Sequence, residues 1–210
     1  PLSRGDTPGF ERILCLDAGT GRILWQHRYP ARYRISYPAG PRCTPTVDGD
    51  RVYTLGAMGH LFCLETETGR VVWGKELPAV YQCEVPLWGY AAHPLVDGNK
   101  LITLAGGDGS LVVALDKMTG KEIWRVGLED GYSNVPRPVF GHGLLFITTG
   151  YDDPELYAIR PDGSGNVTKS HVAWSTDKGA SLTPSLVLSG NELYMVSDIG
   201  IASCLDAKTG

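Results

Sequence analysis

Four polar residues, each followed directly by proline, recur along the chain and include side chains suited to binding. They are Thr44, His93, Arg137 and Thr183, and the prolines after them are separated by 49, 44 and 46 residues. An imidazole and a guanidinium that converge with hydroxyls could bind an anion or an acidic peptide. The same groups could instead hydrogen-bond only to neighbouring strands and to water. His93 has no acid at a fixed spacing, so no catalytic role is predicted for it.

Two loops near these positions carry further candidates. Trp88 and Tyr90 directly precede His93. Trp88 could stack a planar ligand such as a quinone or a sugar, could anchor a partner peptide, or could cover a hydrophobic core. The segment 28–42 interleaves arginine with tyrosine, which can bind nucleic acid or polyanions or can hold a long loop to its own scaffold. The candidate binding face comprises Thr44, Trp88, Tyr90, His93, Arg137 and Thr183.

A repeated unit must position these candidates. An eleven-residue frame, Ala-x-Asp-x-x-Thr-Gly-x-x-x-Trp with Cys or Glu variants, occurs at 15–25, 63–73 and 114–124. Its first seven residues recur at 204–210, and a degenerate copy runs from Tyr157 to Trp174. The leucine or isoleucine of each copy lies at 16, 64, 115, 159 and 205, in steps of 48, 51, 44 and 46. A strand-rich repeat of this length predicts a β-propeller or a related array.

Each period contains four short apolar runs separated by Asp-Gly, Thr-Gly or other glycine turns, which favour tight hairpins. We therefore predict an all-β propeller of four-stranded antiparallel blades, about four of them, with 17 strands in all. The apolar runs barely alternate with polar residues, so both faces of each sheet should be covered. The predicted units are a partial blade at 10–29, blades at 43–77, 92–126 and 137–177, and a partial blade at 183–210.

Strand alternation places the Asp-Gly and Thr-Gly hairpins on one face of the disc. The opposite face, which we call the loop face, receives the longer and less regular connections. Variable loops on a rigid scaffold are the usual place for binding. The segments expected on the loop face are 28–42, 78–91, 127–135 and 177–182.

The frame from Ala114 to Trp124 resembles the tryptophan-docking motif of the pyrroloquinoline quinone (PQQ) type repeat. That repeat forms the propellers of quinoprotein alcohol dehydrogenases and of BamB-like outer-membrane assembly lipoproteins. The resemblance implies a propeller of about eight blades, of which this sequence would form half. It also implies that the repeated indoles and turn glycines dock neighbouring blades. The residues expected in this structural role are Trp25, Trp73, Trp124, Trp174, Gly21, Gly69 and Gly120.

Three functions remain open on these residues. The first is a non-catalytic module that binds a protein or peptide partner, as the resemblance to BamB-like members implies, with no cofactor expected. The second is a fragment of a dehydrogenase that uses PQQ and Ca²⁺ to oxidise an alcohol or a sugar. The adjacent cysteine pair that the resemblance implies for such enzymes does not occur in this sequence. The third is a purely architectural segment.

Composition narrows the choice of partner. The net charge of −4 over 210 residues argues against an electrostatic nucleic-acid binder. No apolar run approaches the ~20 residues of a transmembrane helix, so membrane association would need an anchor such as a lipoprotein signal outside this sequence. The family resemblance alone suggests an extracytoplasmic location. Cys43 and Cys83 both lie in predicted loops, and their pairing is left open.

Overall fold

The computed structural model describes residues 7–36, 38–106, 111–128, 135–150 and 153–210. These residues form 18 strands and two short helices. The strands make five sheets, and every hairpin within them is antiparallel. The chain is thus an all-β propeller segment with four-stranded antiparallel blades, as predicted.

Sheet 1 is a long hairpin of β1 (Thr7–Leu16) and β2 (Ile23–Tyr33). Its register pairs Thr7 with Tyr33 and Cys15 with Trp25. Because side chains alternate between the faces of a strand, residues at odd positions such as Ile13 are buried against the next sheet. Residues at even positions such as Leu14 lie exposed on the opposite face.

Sheets 2 and 3 each contain four consecutive strands, and a short helix connects them. Sheet 2 comprises β3 (Thr46–Asp48), β4 (Arg51–Leu55), β5 (His60–Glu65) and β6 (Val71–Glu76). Helix α1 (Leu77–Tyr81) follows on the loop face, with proline in its first turn. Sheet 3 comprises β7 (Leu95–Asp97), β8 (Lys100–Gly106), β9 (Leu111–Asp116) and β10 (Glu122–Val126).

The chain of sheet 4 also contributes a fifth strand to sheet 3, and the sequence pattern does not predict that strand. The first three strands of sheet 4 are β11 (Val139–Gly141), β12 (Leu144–Thr148) and β13 (Leu156–Ile159). The chain then leaves the sheet as β14 (Gly165–Asn166), which pairs in parallel with β10 of sheet 3. Helix α2 (Thr168–His171) returns it to β15 (Val172–Thr176), the fourth strand of sheet 4. The insertion that interrupts the repeat therefore covers the outer edge of the preceding sheet.

Sheet 5 ends the chain with β16 (Val187–Ser189), β17 (Glu192–Val196) and β18 (Ala202–Asp206). Consecutive sheets pack face to face. In sheet 2, Val52 packs towards Ile13 of sheet 1, whereas its neighbour Tyr53 packs towards Leu101 of sheet 3. Burial of both faces explains why the apolar runs do not alternate with polar residues.

The four residues that precede proline lie just outside the first strands of sheets 2 to 5. Strands β3, β7 and β11 each begin directly after the proline, and β16 begins three residues after it. Proline has no N–H to donate to the ladder, which accounts for these starting points. The four candidate positions therefore lie in connections rather than in strands. Neither helix among the described residues has the length and apolar character needed to cross a bilayer.

Candidate functional site

The repeated indoles contact the sheet that follows each of them. Trp25 Nε1 donates a 2.9 Å hydrogen bond to the carbonyl oxygen of Thr66, and Trp73 Nε1 donates one of 3.1 Å to that of Lys117. Their rings lie against Gly69 and Gly120, where an added Cβ would overlap the indole. Each tryptophan of sheets 1 and 2 thus links two sheets through one hydrogen bond and one close ring contact.

The degenerate copy keeps the hydrogen bond without the glycine. Trp124 is fully buried, and its Nε1 donates a 2.9 Å hydrogen bond to the carbonyl oxygen of Pro161, inside the insertion. Trp174 shows the reverse arrangement, because its ring lies against Gly210 while its buried Nε1 has no partner among the described residues. The hydrogen bond of the indole N–H and the packing of the indole ring on glycine can therefore occur independently.

The four residues before proline occupy equivalent connections but do not bond to one another. Thr44, Arg137 and Thr183 are exposed, and His93 is half-buried. The Arg137 backbone N–H donates a 3.0 Å hydrogen bond to the Ser185 hydroxyl. The Nδ1 of His93 is buried and has no hydrogen-bond partner among the described residues. No hydrogen bond or ion pair between described residues joins any two of the four.

Thr183 is held by an acid of its own sheet. Its hydroxyl donates to the Asp198 carboxylate, and the Leu182 N–H donates a 2.8 Å hydrogen bond to the same side chain. Partial burial of Asp198 opposes ionisation, but these hydrogen bonds outweigh it and lower the pKa of the carboxyl below its usual range. The Asp198 carboxylate thus holds residues 182 and 183 in place.

Tyr90, which was predicted as part of the candidate binding face, is buried in the structure. The side chain is 3% exposed, and its hydroxyl donates a 2.7 Å hydrogen bond to the Ala105 carbonyl oxygen. Apolar neighbours in the core between sheets 2 and 3 surround the ring. Trp88 is half-buried in the same loop and makes contacts of its own.

Cys43 and Cys83 are free thiols that lie at opposite ends of Tyr90. The Cys43 thiol approaches the backbone carbonyl oxygen of Tyr90 at 3.5 Å, whereas the Cys83 sulfur lies 3.8 Å from the Tyr90 hydroxyl. Burial raises the pKa of the Cys43 thiol to about 12. Both thiols therefore act as part of the packing beneath the loop face.

Loops from different sheets are joined on the loop face. The Ser36 N–H donates a 3.0 Å hydrogen bond to the Leu87 carbonyl oxygen, and the Tyr90 N–H donates one of 2.9 Å to that of Ala57. The Arg42 guanidinium donates a 3.0 Å hydrogen bond to the Pro38 carbonyl oxygen. We call the surface formed by residues 34–36, 38–43 and 77–91 the loop platform. The 127–135 loop falls mostly outside the described residues.

A buried carboxylate of sheet 1 accepts a hydrogen bond from the turn between β4 and β5 of sheet 2, and it was not among the residues predicted from the sequence. Glu11 is 2% exposed and accepts hydrogen bonds from the hydroxyls of Tyr29 and Tyr33, the latter at 2.8 Å. Its Oε1 also accepts from the Ala57 N–H at 3.1 Å. Burial, reinforced by the hydrogen bond to Glu11, raises the pKa of both phenols. The alternation of side chains along β1 could have indicated this burial, because Glu11 lies on the same core-facing side of the strand as Ile13 and Cys15.

A family model described as the outer membrane protein assembly factor BamB matches residues 9–125, more than half of the chain. The chain belongs to this family of PQQ-type repeats. A search of curated proteins gave no match.

Several solved structures have a fold similar to that of this chain. BamB from Moraxella catarrhalis is 20% identical with a TM-score of 0.66, over 95% of this chain and 53% of that one. The chain thus spans about half the length of that BamB. Quinohemoprotein alcohol dehydrogenase from Comamonas testosteroni is 17% identical with a TM-score of 0.59, over 82% of this chain and 34% of that one. The computationally designed Ika8 protein is 13% identical with a TM-score of 0.60, over 90% and 50%.

The acidic side chains that recur in the repeats bear on the possibility of a metal site. No group of three or more His, Cys, Asp or Glu side chains among the described residues is placed to hold a metal ion. The recurring acids serve their own turns instead. Hydrogen bonds from Thr20 lower the pKa of Asp17, and those from Thr119 lower the pKa of Asp116. No step of PQQ chemistry is therefore assigned to these residues.

Proposed function

We propose that the chain is a non-catalytic PQQ-repeat propeller module that binds a protein or peptide partner through its loop face. The observation that carries this proposal is the loop platform, in which loops from different sheets are hydrogen-bonded to each other before any partner is present. A surface that is already ordered loses little conformational entropy on binding. The family match to the BamB model supports a role in protein binding rather than in chemistry.

Two side chains on the loop face are the best candidates for contact. Trp88 is half-buried on the loop platform, and an indole held by its surroundings is a common anchor of protein interfaces. Arg137 is exposed while its backbone is fixed by Ser185, so its guanidinium is available for a carboxylate. Thr44, Thr183 and His93 occupy the equivalent connections and would extend the same surface.

A double substitution on the loop face tests the proposal. The double variant Trp88→Ala/Arg137→Ala should reduce capture of cross-linked partners from cell-envelope extracts, while its thermal unfolding midpoint stays close to that of the parent. The matched control is Met118→Ala/Lys121→Ala, which removes an apolar residue and a cation from the opposite, hairpin face. Equal capture by both double variants would contradict the proposal.

The alternative is that the chain is a fragment of a PQQ- and calcium-dependent dehydrogenase. The similarity of its fold to quinohemoprotein alcohol dehydrogenases suggests this alternative. The purified chain mixed with PQQ and Ca²⁺ should retain no chromophore after gel filtration and should show no dye-linked alcohol oxidation. Stoichiometric retention of PQQ would replace the binding-module proposal with the dehydrogenase.

We infer an extracytoplasmic location from the same family relationship. A full-length gene product should fractionate with the periplasm or with membranes through an anchor outside these residues. Recovery in the cytoplasmic fraction alone would contradict this inference.

A further inference from the structure

The residue that ends helix α1 has a backbone conformation that residues other than glycine seldom adopt. Gln82 lies on the loop platform with φ 52° and ψ 44°, in the left-handed region that glycine usually occupies at the end of a helix. We propose that the Gln82 carboxamide binds the backbone of an extended, basic segment of the partner protein. This inference rests on the proposed binding role of the loop face and names one contact that the loop platform makes.

The packing on either side of Gln82 fixes its conformation. Before it, Tyr81 packs against the core between sheets 2 and 3. After it, the Cys83 N–H donates a 3.0 Å hydrogen bond to the Pro78 carbonyl oxygen, and the Cys83 thiol donates one of 3.3 Å to that of Ala105. The backbone therefore turns at this position whichever residue occupies it, and glycine would do so without a steric penalty.

The side chain of Gln82 has no role within the described part of the fold. Only two residues other than glycine have a positive φ among the described residues, Gln82 and His142. The Nε2 of His142 lies 2.7 Å from the Gly190 carbonyl oxygen and so joins sheet 4 to sheet 5. Gln82 is exposed, and its carboxamide makes no hydrogen bond to another described residue. A long polar side chain at a strained position, without a contact inside the fold, favours a contact outside it.

The chemistry of a carboxamide selects the type of ligand. Its oxygen accepts and its NH2 group donates, so one carboxamide can bond to both an N–H and a C=O of a peptide backbone. Helices and interior strands have these backbone groups already bonded, whereas an extended segment or an edge strand presents them to a partner. The ligand class is therefore an extended peptide.

The surface around Gln82 adds an apolar contact and negative charge. Val80 lies two residues before it and is 49% exposed. The segment 76–84 contains two acids, Glu76 and Glu84, and no basic residue. Both acids are exposed, and neither has an ion pair with another described residue. The bound segment should therefore carry apolar side chains together with lysine or arginine.

Measurements of stability separate the strain at this position from binding. Gln82→Gly removes the side chain and suits the backbone, so the thermal unfolding midpoint should rise by about 1–3 °C while binding is lost. Loss of binding by a more stable variant cannot be attributed to unfolding. Gln82→Ala keeps the strain and lacks the carboxamide, so it should lose binding without the gain in stability. A midpoint for Gln82→Gly below that of the parent would show that the side chain belongs to the fold and would overturn the proposal.

Binding is measured by NMR titration of the ¹⁵N-labelled chain with the peptide acetyl-Lys-Val-Lys-Val-Lys-amide. The side-chain NH2 signals of Gln82 and the backbone amides of Val80 and Glu84 should shift and saturate. The same peptide N-methylated at every residue has no backbone N–H to donate, so it should bind about fivefold more weakly. The acidic peptide acetyl-Glu-Val-Glu-Val-Glu-amide should also bind more weakly, because it meets like charge.

The matched control is Gln26→Ala, at the other glutamine of the chain, which is exposed on sheet 1 and should leave the titration unchanged. Absence of saturable shifts, or equal affinity for the N-methylated or the acidic peptide, would overturn the proposal.

Capture of cross-linked partners from cell-envelope extracts separates this inference from the function on which it rests. Reduced capture by Gln82→Gly supports the inference. Loss of capture by Trp88→Ala/Arg137→Ala but not by Gln82→Gly would overturn the role of Gln82 alone. Full capture by both variants would contradict the proposed function itself.

Discussion

The indole nitrogen of Trp124 donates a 2.9 Å hydrogen bond to the carbonyl oxygen of Pro161, 37 residues away and inside an insertion that destroys the usual turn. The same hydrogen bond forms in sheets 1 and 2 over intact turns. The contact therefore depends on the backbone position two residues after the repeat leucine or isoleucine, and it does not require the Thr-Gly sequence.

Substitution of two tryptophans measures how much this hydrogen bond contributes to the free energy of unfolding. Trp124→Phe should lower the free energy of unfolding by about 2–3 kcal/mol, because it leaves the Pro161 carbonyl unpaired and opens a small cavity in the core. Trp174→Phe should cost less than about 1 kcal/mol, because the Trp174 Nε1 has no partner to lose among the described residues. Urea unfolding of both variants measures the difference, and equal losses would contradict the assignment.

Much of the fold could be predicted because it is repeated. The frame that ends at Trp25, Trp73 and Trp124 fixes a period, and glycine turns divide each period into strands. Propeller architecture and family are confirmed. Strand β14 could not be predicted, since its two residues carry no apolar pattern and pair with a strand of another sheet.

The candidate site was less predictable. Tyr90 carries the residue type of a binding loop, but a tertiary hydrogen bond to Ala105 draws it into the core. Glu11 is an acid on an apolar strand, and only the tyrosines of β2 make its burial possible. In both cases the deciding contact lies outside the local sequence pattern. The roles of Thr44, Trp88, His93, Arg137 and Thr183 remain predictions.

Removal of the buried carboxylate should weaken the contact between sheet 1 and sheet 2. Glu11→Ala leaves the hydroxyls of Tyr29 and Tyr33 and the Ala57 N–H without their acceptor, so we expect a loss of about 3–5 kcal/mol in the free energy of unfolding. Tyr33→Phe, which removes only one donor, should cost about 1 kcal/mol. Thermal unfolding compares them, and a near-neutral Glu11→Ala would show that the carboxylate is not buried as described.

Thiol reactivity should separate the cysteines. Cys43 should resist iodoacetamide at pH 8, since burial holds the pKa of its thiol at about 12 and little thiolate forms. Cys204 lies exposed on the outer face of sheet 5 and should be alkylated first. Mass spectrometry of tryptic peptides over time gives both rates. Modification of Cys43 before Cys204 in the folded chain would contradict the packing.

Acid should destabilise the contact between sheets 1 and 2. Burial lowers the pKa of His27, whose ring packs edge-on against Phe62 at 5.0 Å and stacks on Tyr29 at 5.8 Å. The unfolded chain therefore binds a proton more readily than the folded chain, and the stabilisation from neutral His27 is lost as the pH falls below about 6.5. The melting temperature of His27→Phe should fall less than that of the parent between pH 7 and pH 5. Parallel curves would contradict this role.

The central claim is that an indole of one sheet packs on the turn of the next sheet. Substituting asparagine for glycine at two turns of the same backbone conformation tests this claim. Gly69 and Gly21 have φ angles of 70° and 71°, but only Gly69 is covered by an indole, that of Trp25. Gly69→Asn should lower the free energy of unfolding by about 1–3 kcal/mol more than Gly21→Asn, because it forces Trp25 from its position. Equal losses in urea unfolding of the two variants would contradict the claim.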